Sequence, residues 1–221
     1  NNSLNANVTG THNTGIGDYS LALTTGNENT AVGQGSLESN TSGASNTAIG
    51  KSALSSNTTA SENTAIGKEA AAANTTGTDV VAVGMAALTA NTTGIGNVAV
   101  GRYALASNTT ANGNVAVGGY DGTLQPALRA NTTGDKNVAV GSGALAANTT
   151  AASNTAVGYN SGNDNTTGAD NTFLGREAGA ANTTSGLLTY VGGYAGANTT
   201  GANNTFIGTS AGESITSGSE N

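Results

Sequence analysis

At 221 residues the chain is long enough for one or two ordinary domains, but its composition is not that of a globular enzyme. It has 34 Gly, no Cys, no Trp, two Phe, one Pro and one His, and only 9% of its residues are charged. A formal net charge of −7, with six scattered Lys and Arg, argues against nucleic acid, whose recognition rests on cations neutralising phosphates. No stretch approaches the roughly 20 apolar residues of a membrane span, so no membrane insertion by this segment is expected.

A short phrase, Asn-Thr/Val-Ala-Val/Ile-Gly, recurs along the chain and closes at Gly17, Gly33, Gly50, Gly67, Gly84, Gly101, Gly118, Gly141, Gly158, Gly175, Gly192 and Gly208. The successive steps are 16, 17, 17, 17, 17, 17, 23, 17, 17, 17 and 16 residues. A fixed period of this length marks a solenoid, in which each unit buries its apolar face only against its neighbours. Before each glycine, β-branched residues two apart, as in Val98-Ala99-Val100, predict a short strand, and the glycine permits the bend that follows. Four residues after the glycine, or ten in the coil with six extra residues, a second apolar anchor (Leu37, Leu54, Leu88, Leu105, Leu128 or Leu145) predicts a second short strand in each coil. The expected fold is all-β: a parallel β-solenoid of 17-residue coils, continuous through residues 1–221. Both ends fall inside a repeat, so more chain is expected beyond them.

Near the start, His12 occupies a bend position held elsewhere by Glu28, Glu62 or Asp79, and reads as a solvated loop residue. The coil between Gly118 and Gly141 carries six extra residues, about 121–126. Insertions in solenoids bulge from one face and often carry recognition, which makes Asp121, Gly122, Leu124 and Pro126 a candidate recognition loop; a tolerated neutral loop is the alternative. Farther on, Asp164 and Asp170 could in principle serve glycoside hydrolysis, but a bend separates them and no carboxylate or arginine accompanies them in phase. With no Cys/His cluster either, no catalytic residue, metal site or cofactor is expected, and the chain reads as a non-enzyme.

The strand alanine repeats from Ala31 to Ala156 and then becomes Phe173, Tyr190 and Phe206, while the leucine column turns to Gly162, Gly179, Gly196 and Gly212. Large-plus-small is exchanged for small-plus-large, as expected if both columns fill one interior of fixed volume. Val100 and its equivalents must point the opposite way, because successive strand side chains alternate. The strand is therefore expected to be buried on both faces, the second against other chains, with Val100, Leu105, Phe173, Tyr190 and Phe206 as packing residues of a homo-oligomer, hypothetically a trimer. The alternative is an exposed alanine column with three aromatics as a surface patch.

Asn57, Asn74, Asn91, Asn108, Asn131, Asn148, Asn165, Asn182 and Asn198 are each followed by Thr-Thr and form N-glycosylation sequons. One reading is a coat of glycans; the favoured one is an Asn/Thr ladder whose amides bond to the coils above and below. A second column, Asn46, Asn63, Asn97 and Asn114, opens the strands without a sequon and supports the structural role. The threonine array could also suggest a flat ice-binding face, although strand propensity alone accounts for it.

The Asn-Thr-Ala-Ile-Gly of residues 46–50 and 63–67 and the Asn-Val-Ala-Val-Gly of 97–101, 114–118 and 137–141 resemble the repeats of trimeric autotransporter adhesin heads, the YadA-like family, and of phage tail-fibre-like proteins. The resemblance implies a left-handed β-roll, three chains about a common axis, and display outside the cell or on a virion fibre. It also implies attachment to a host-surface protein or glycan. The 17-residue period and the added Asn-Thr-Thr segment depart from the adhesin-head pattern. A fibre segment that extends, coats or attaches is thus the expected function, with an end-to-end filament subunit, glycosylated or bare, and a phage receptor-binding shaft as alternatives.

Overall fold

A computed structural model describes residues 2–123, 125–213, 215 and 217–220. The chain divides into two compact units, Asn1–Ala111 and Asn112–Asn221, each a parallel β-solenoid built on the repeat. In the first, β1 (Thr14–Ile16), β2 (Thr30–Val32), β3 (Thr47–Ile49), β4 (Thr64–Ile66), β5 (Val81–Val83) and β6 (Val98–Val100) follow one another. They pair in parallel and in phase, so that Thr47, Ala48 and Ile49 face Thr64, Ala65 and Ile66. The second unit repeats this with β7 (Val115–Val117), β8 (Val138–Val140), β9 (Thr155–Val157), β10 (Thr172–Leu174), β11 (Thr189–Val191) and β12 (Thr205–Ile207).

Each strand is followed by a glycine at positive φ. Gly50 has a φ of +134°, and a Cβ there would sit 2.5 Å from the carbonyl oxygen of Gly67, its equivalent in the next coil. The glycines therefore answer two demands, a backbone hand closed to side chains and a close approach between coils.

The leucine anchor does not form the second strand that its position suggested. Leu37, Leu54, Leu88 and Leu105 take φ values of 49°, 50°, 54° and 52°, within a run of turns. A strand needs strongly negative φ, and a left-handed residue at every second position bends the chain instead. Coils still bond there: the Leu37 N–H donates to Ala53 O at 3.0 Å and the Leu54 N–H to Ala70 O at 3.0 Å. Left-handed leucine costs roughly 1–2 kcal/mol, and full burial of its side chain, worth about 1.5–3 kcal/mol, offsets that. All four leucines are buried.

The interior of each coil is thin. In the first unit it holds Ala31, Ala48, Ala65, Ala82 and Ala99 from the strands against the leucines. In the second, Ala116, Ala139 and Ala156 continue the column before Phe173, Tyr190 and Phe206 replace it, their rings 5.7 Å and 5.1 Å apart in sequence. These rings are interior, not a surface patch. They lie over the glycines that replaced leucine: a Cβ on Gly162 would come within 2.5 Å of Phe173, and one on Gly212 within 2.5 Å of Phe206.

Candidate functional site

The asparagines of the sequons are inside the coils. Asn57 Nδ2 donates to Asn40 Oδ1 at 2.8 Å and to Ala60 O at 3.0 Å, and Asn91 Nδ2 to Asn74 Oδ1 at 2.8 Å and Gly94 O at 3.0 Å. In the second unit Asn148 and Asn182 do the same with Asn131 and Asn165. The strand-opening asparagines complete the scheme: Asn46 Nδ2 also reaches Ala60 O, at 2.9 Å, and Asn46 Oδ1 accepts the N–H of Asn63 at 3.0 Å. One carbonyl in a bend, turned inward and without a strand partner, is thereby satisfied from two coils. Asn57, Asn74, Asn91, Asn108, Asn131, Asn148, Asn165 and Asn182 are wholly buried. A sugar on Nδ2 would displace these bonds, so glycan and ladder exclude each other at these eight positions.

Asn198 departs from the column in which its sequon placed it. The coil from Gly192 to Gly208 is one residue short, so Thr199 takes the buried ladder position and Asn198 turns outward. Thr199 Oγ1 donates to Gly212 O at 3.0 Å, and Asn182 Oδ1 is left without a donor. Asn198 Nδ2 sits at the surface with a 3.2 Å bond to Glu213 O. Of the threonines, the first after each ladder asparagine bonds between coils, as Thr75 Oγ1 does to Thr92 O at 2.9 Å, and the second, such as Thr76, is exposed.

The insertion begins earlier than the sequence suggested. Gln125 O accepts from the Gly143 N–H at 2.8 Å, as Gln34 O does from Ser52 at 2.9 Å, so Gln125 already stands in the ordinary position after the repeat glycine. The extra residues start at Gly119. Asp121 and Gly122 are exposed, with Asp121 Oδ1 accepting from Thr123, whereas Pro126 is buried and belongs to the coil; Leu124 lies outside the described residues. His12 is exposed with φ 58°, the left-handed bend that Glu28, Glu62 and Asp79 share. Asp164 and Asp170 are both exposed, and their N–H groups bond to opposite neighbouring coils, at Ala180 and Ala152. Among the described residues no three His, Asp or Glu side chains are grouped to hold a metal ion, and no helix is long and apolar enough to cross a membrane.

The remaining surface is the outer face of each sheet. Val100 and its equivalents point outward and are only partly covered: Ile49 and Ile66 are each 39% exposed, and Leu174 is 45% exposed. Beside them stands the outward Thr/Val column of Thr30, Thr47, Thr64, Val81 and Val98 in the first unit. Neither column contains a charge.

Fold and surface together define a parallel β-solenoid repeat protein with flat, uncharged sheet faces. No protein-family model, curated protein or solved structure shows significant similarity to the chain.

Proposed function

We propose that this chain is a segment of an extracellular structural fibre, a left-handed trimeric β-roll that extends from or coats a cell surface and mediates attachment. The observation that carries the reading is the outer sheet face, where Ile49, Ile66 and their column-mates stand half-exposed without a charged residue among them. Contiguous exposed apolar columns mark interaction sites, and a repetitive partner of matching spacing is a second copy of the same chain. Extension follows from coils that hold each other through backbone and asparagine ladders. Surface chemistry points away from catalysis: the one histidine and the Asp164 and Asp170 carboxylates are solvated bend residues.

Sedimentation equilibrium with electron microscopy of the full chain tests this. The expected species is a trimer with constant mass across concentration. Joint replacement of Ile49 and Ile66 by lysine should weaken association a hundredfold or more, about 3 kcal/mol, because a cation would be buried without a partner. A monomer at every concentration would remove the fibre reading, and open-ended growth would replace the trimer by an end-to-end filament.

A further inference from the structure

Charged and aromatic side chains stand at the two positions after several of the repeat glycines, and most of these satisfy one another. Lys68 Nζ pairs with Glu69 at 3.3 Å, and the Arg102 guanidinium lies 5.1 Å from the Tyr103 ring centre. In the second unit Arg176 pairs with Glu177 at 3.2 Å and lies 5.9 Å and 5.3 Å from the ring centres of Tyr159 and Tyr194. One stretch of the first unit is different. Tyr19, Gly35 and Ser52 hold the same corner position in three successive coils, and the missing side chain at Gly35 opens a groove of about 280 Å³ lined also by Gln34, Glu38 and Lys51. A Cβ on Gly35 would meet only Glu38 Oε2 at 3.1 Å and Ser52 Oγ at 3.8 Å. Among the described residues Glu38 and Lys51 have no ion-pair partner, and neither the Gln34 amide nor the Tyr19 hydroxyl is hydrogen-bonded.

We propose that this groove binds a neutral hexose ring within a polysaccharide chain. Tyr19, 44% exposed, lines the groove with an aromatic ring, the group on which the C–H face of a sugar packs. The Glu38 carboxylate and the Gln34 carbonyl accept from hydroxyls, while the Lys51 ammonium and the Gln34 NH₂ donate to them. The opposite charges of Glu38 and Lys51 cancel, which favours an uncharged ligand. The volume of about 280 Å³ lies just below the roughly 300–1,000 Å³ of small-molecule sites, which suits a single ring. Biologically this deepens the attachment reading by naming its ligand class, but the groove lies within one chain and needs no trimer.

Calorimetric titration of the full chain tests it, with methyl glucoside, galactoside and mannoside, and with linear glucan, galactan and mannan. At least one hexose is expected to bind, more tightly as a chain than as a methyl glycoside. Equal affinity for both would keep the site and make free sugar its ligand. Tyr19→Asn and Glu38→Gln should each weaken binding tenfold or more. Asparagine keeps the left-handed backbone, since Asn160 has φ 57° at the same corner position where Tyr19 has 58°. Tyr103→Asn, the same change in a coil without the groove, should leave affinity unchanged. Absence of binding to all six probes, or full affinity in Tyr19→Asn, overturns the proposal. A sugar-binding monomer would sink the fibre reading alone, and a trimer without sugar binding would sink the groove alone.

Discussion

The coils of the first unit and those after Gly158 fill the same kind of interior in opposite ways. Up to Leu105, small alanines on the strand face leucines on the turn; from Gly162 onward, glycines on the turn face Phe173, Tyr190 and Phe206 on the strand. The backbone scarcely notices, since Leu54 and Gly162 have φ values of 50° and 57°. Interior volume is therefore set by the coil spacing and the turn geometry, and either wall can supply it. The exchange also carries a difference in polarity. The aromatic wall brings one hydroxyl, Tyr190, into the interior near Thr199 and Asn204, without a partner in good hydrogen-bond geometry.

The largest effect should come from undoing the exchange in one place. Phe173→Ala should cost about 3–5 kcal/mol through the cavity it leaves, and Gly179→Leu about 1–3 kcal/mol or more through overpacking against the same ring. Combined, they should cost at least about 2 kcal/mol less than their sum, because each makes room for the other. Urea unfolding of the four proteins checks this; additive costs would mean that the two columns do not share a space. In the first unit the reference substitution is Leu54→Ala, expected at about 2–5 kcal/mol.

The ladders common to both regions come next. Asn91→Ala removes a donor to both Asn74 Oδ1 and Gly94 O and should cost about 1–3 kcal/mol. Asn198→Ala, at the surface, should stay within about 0.5 kcal/mol. Equal costs would argue against the one-residue shift that puts Thr199 in the ladder. Peptide mass spectrometry of the protein made in a host that attaches N-glycans should find Asn57, Asn74 and Asn91 bare, with Asn198 the sequon of that column open to a glycan.

The smallest effect concerns Tyr190. Burial raises its pKa above the ordinary 10.0, and neighbouring Asn204 and Thr199 partly oppose the shift. Below the unfolded value the proton is held in both states and stability does not depend on it. As pH rises past about 10, the unfolded chain ionises first, and stability is lost until the folded hydroxyl titrates too. Tyr190→Phe removes this alkaline loss and an unsatisfied hydroxyl, so it should gain up to about 1 kcal/mol at neutral pH. Its advantage in urea midpoint should widen between neutral and strongly alkaline pH; a constant advantage would mean that the hydroxyl is not held in its neutral form.

Much of this was legible in one dimension. The phase of the glycines located every strand, because a solenoid repeats its contacts at the period of its sequence. The Phe173 and Gly179 exchange showed which columns meet, because a fixed volume leaves a compensating trace. Apolar spacing suggests a second strand that does not form, because Leu37 and its equivalents are held left-handed with their side chains buried. Composition puts the insertion two residues late, because Gln125 and Pro126 look like loop residues and only the bond from Gly143 shows them back in register. Asn198 was assigned by its motif, Asn-Thr-Thr, and a motif does not record that its coil is one residue short.

The amino-acid order thus set the period, the position of the strands and the shared interior of the two apolar columns, since these depend only on spacing and side-chain size. Closure of the coil decided the rest. It turned the sequon amides inward to inward-facing carbonyls, gave leucine its left-handed turn, and set Tyr19, Gly35 and Lys51 around an open groove. Those outcomes depend on which backbone groups lack partners once the chain has bent back on itself, and that becomes defined only when neighbouring coils are in contact.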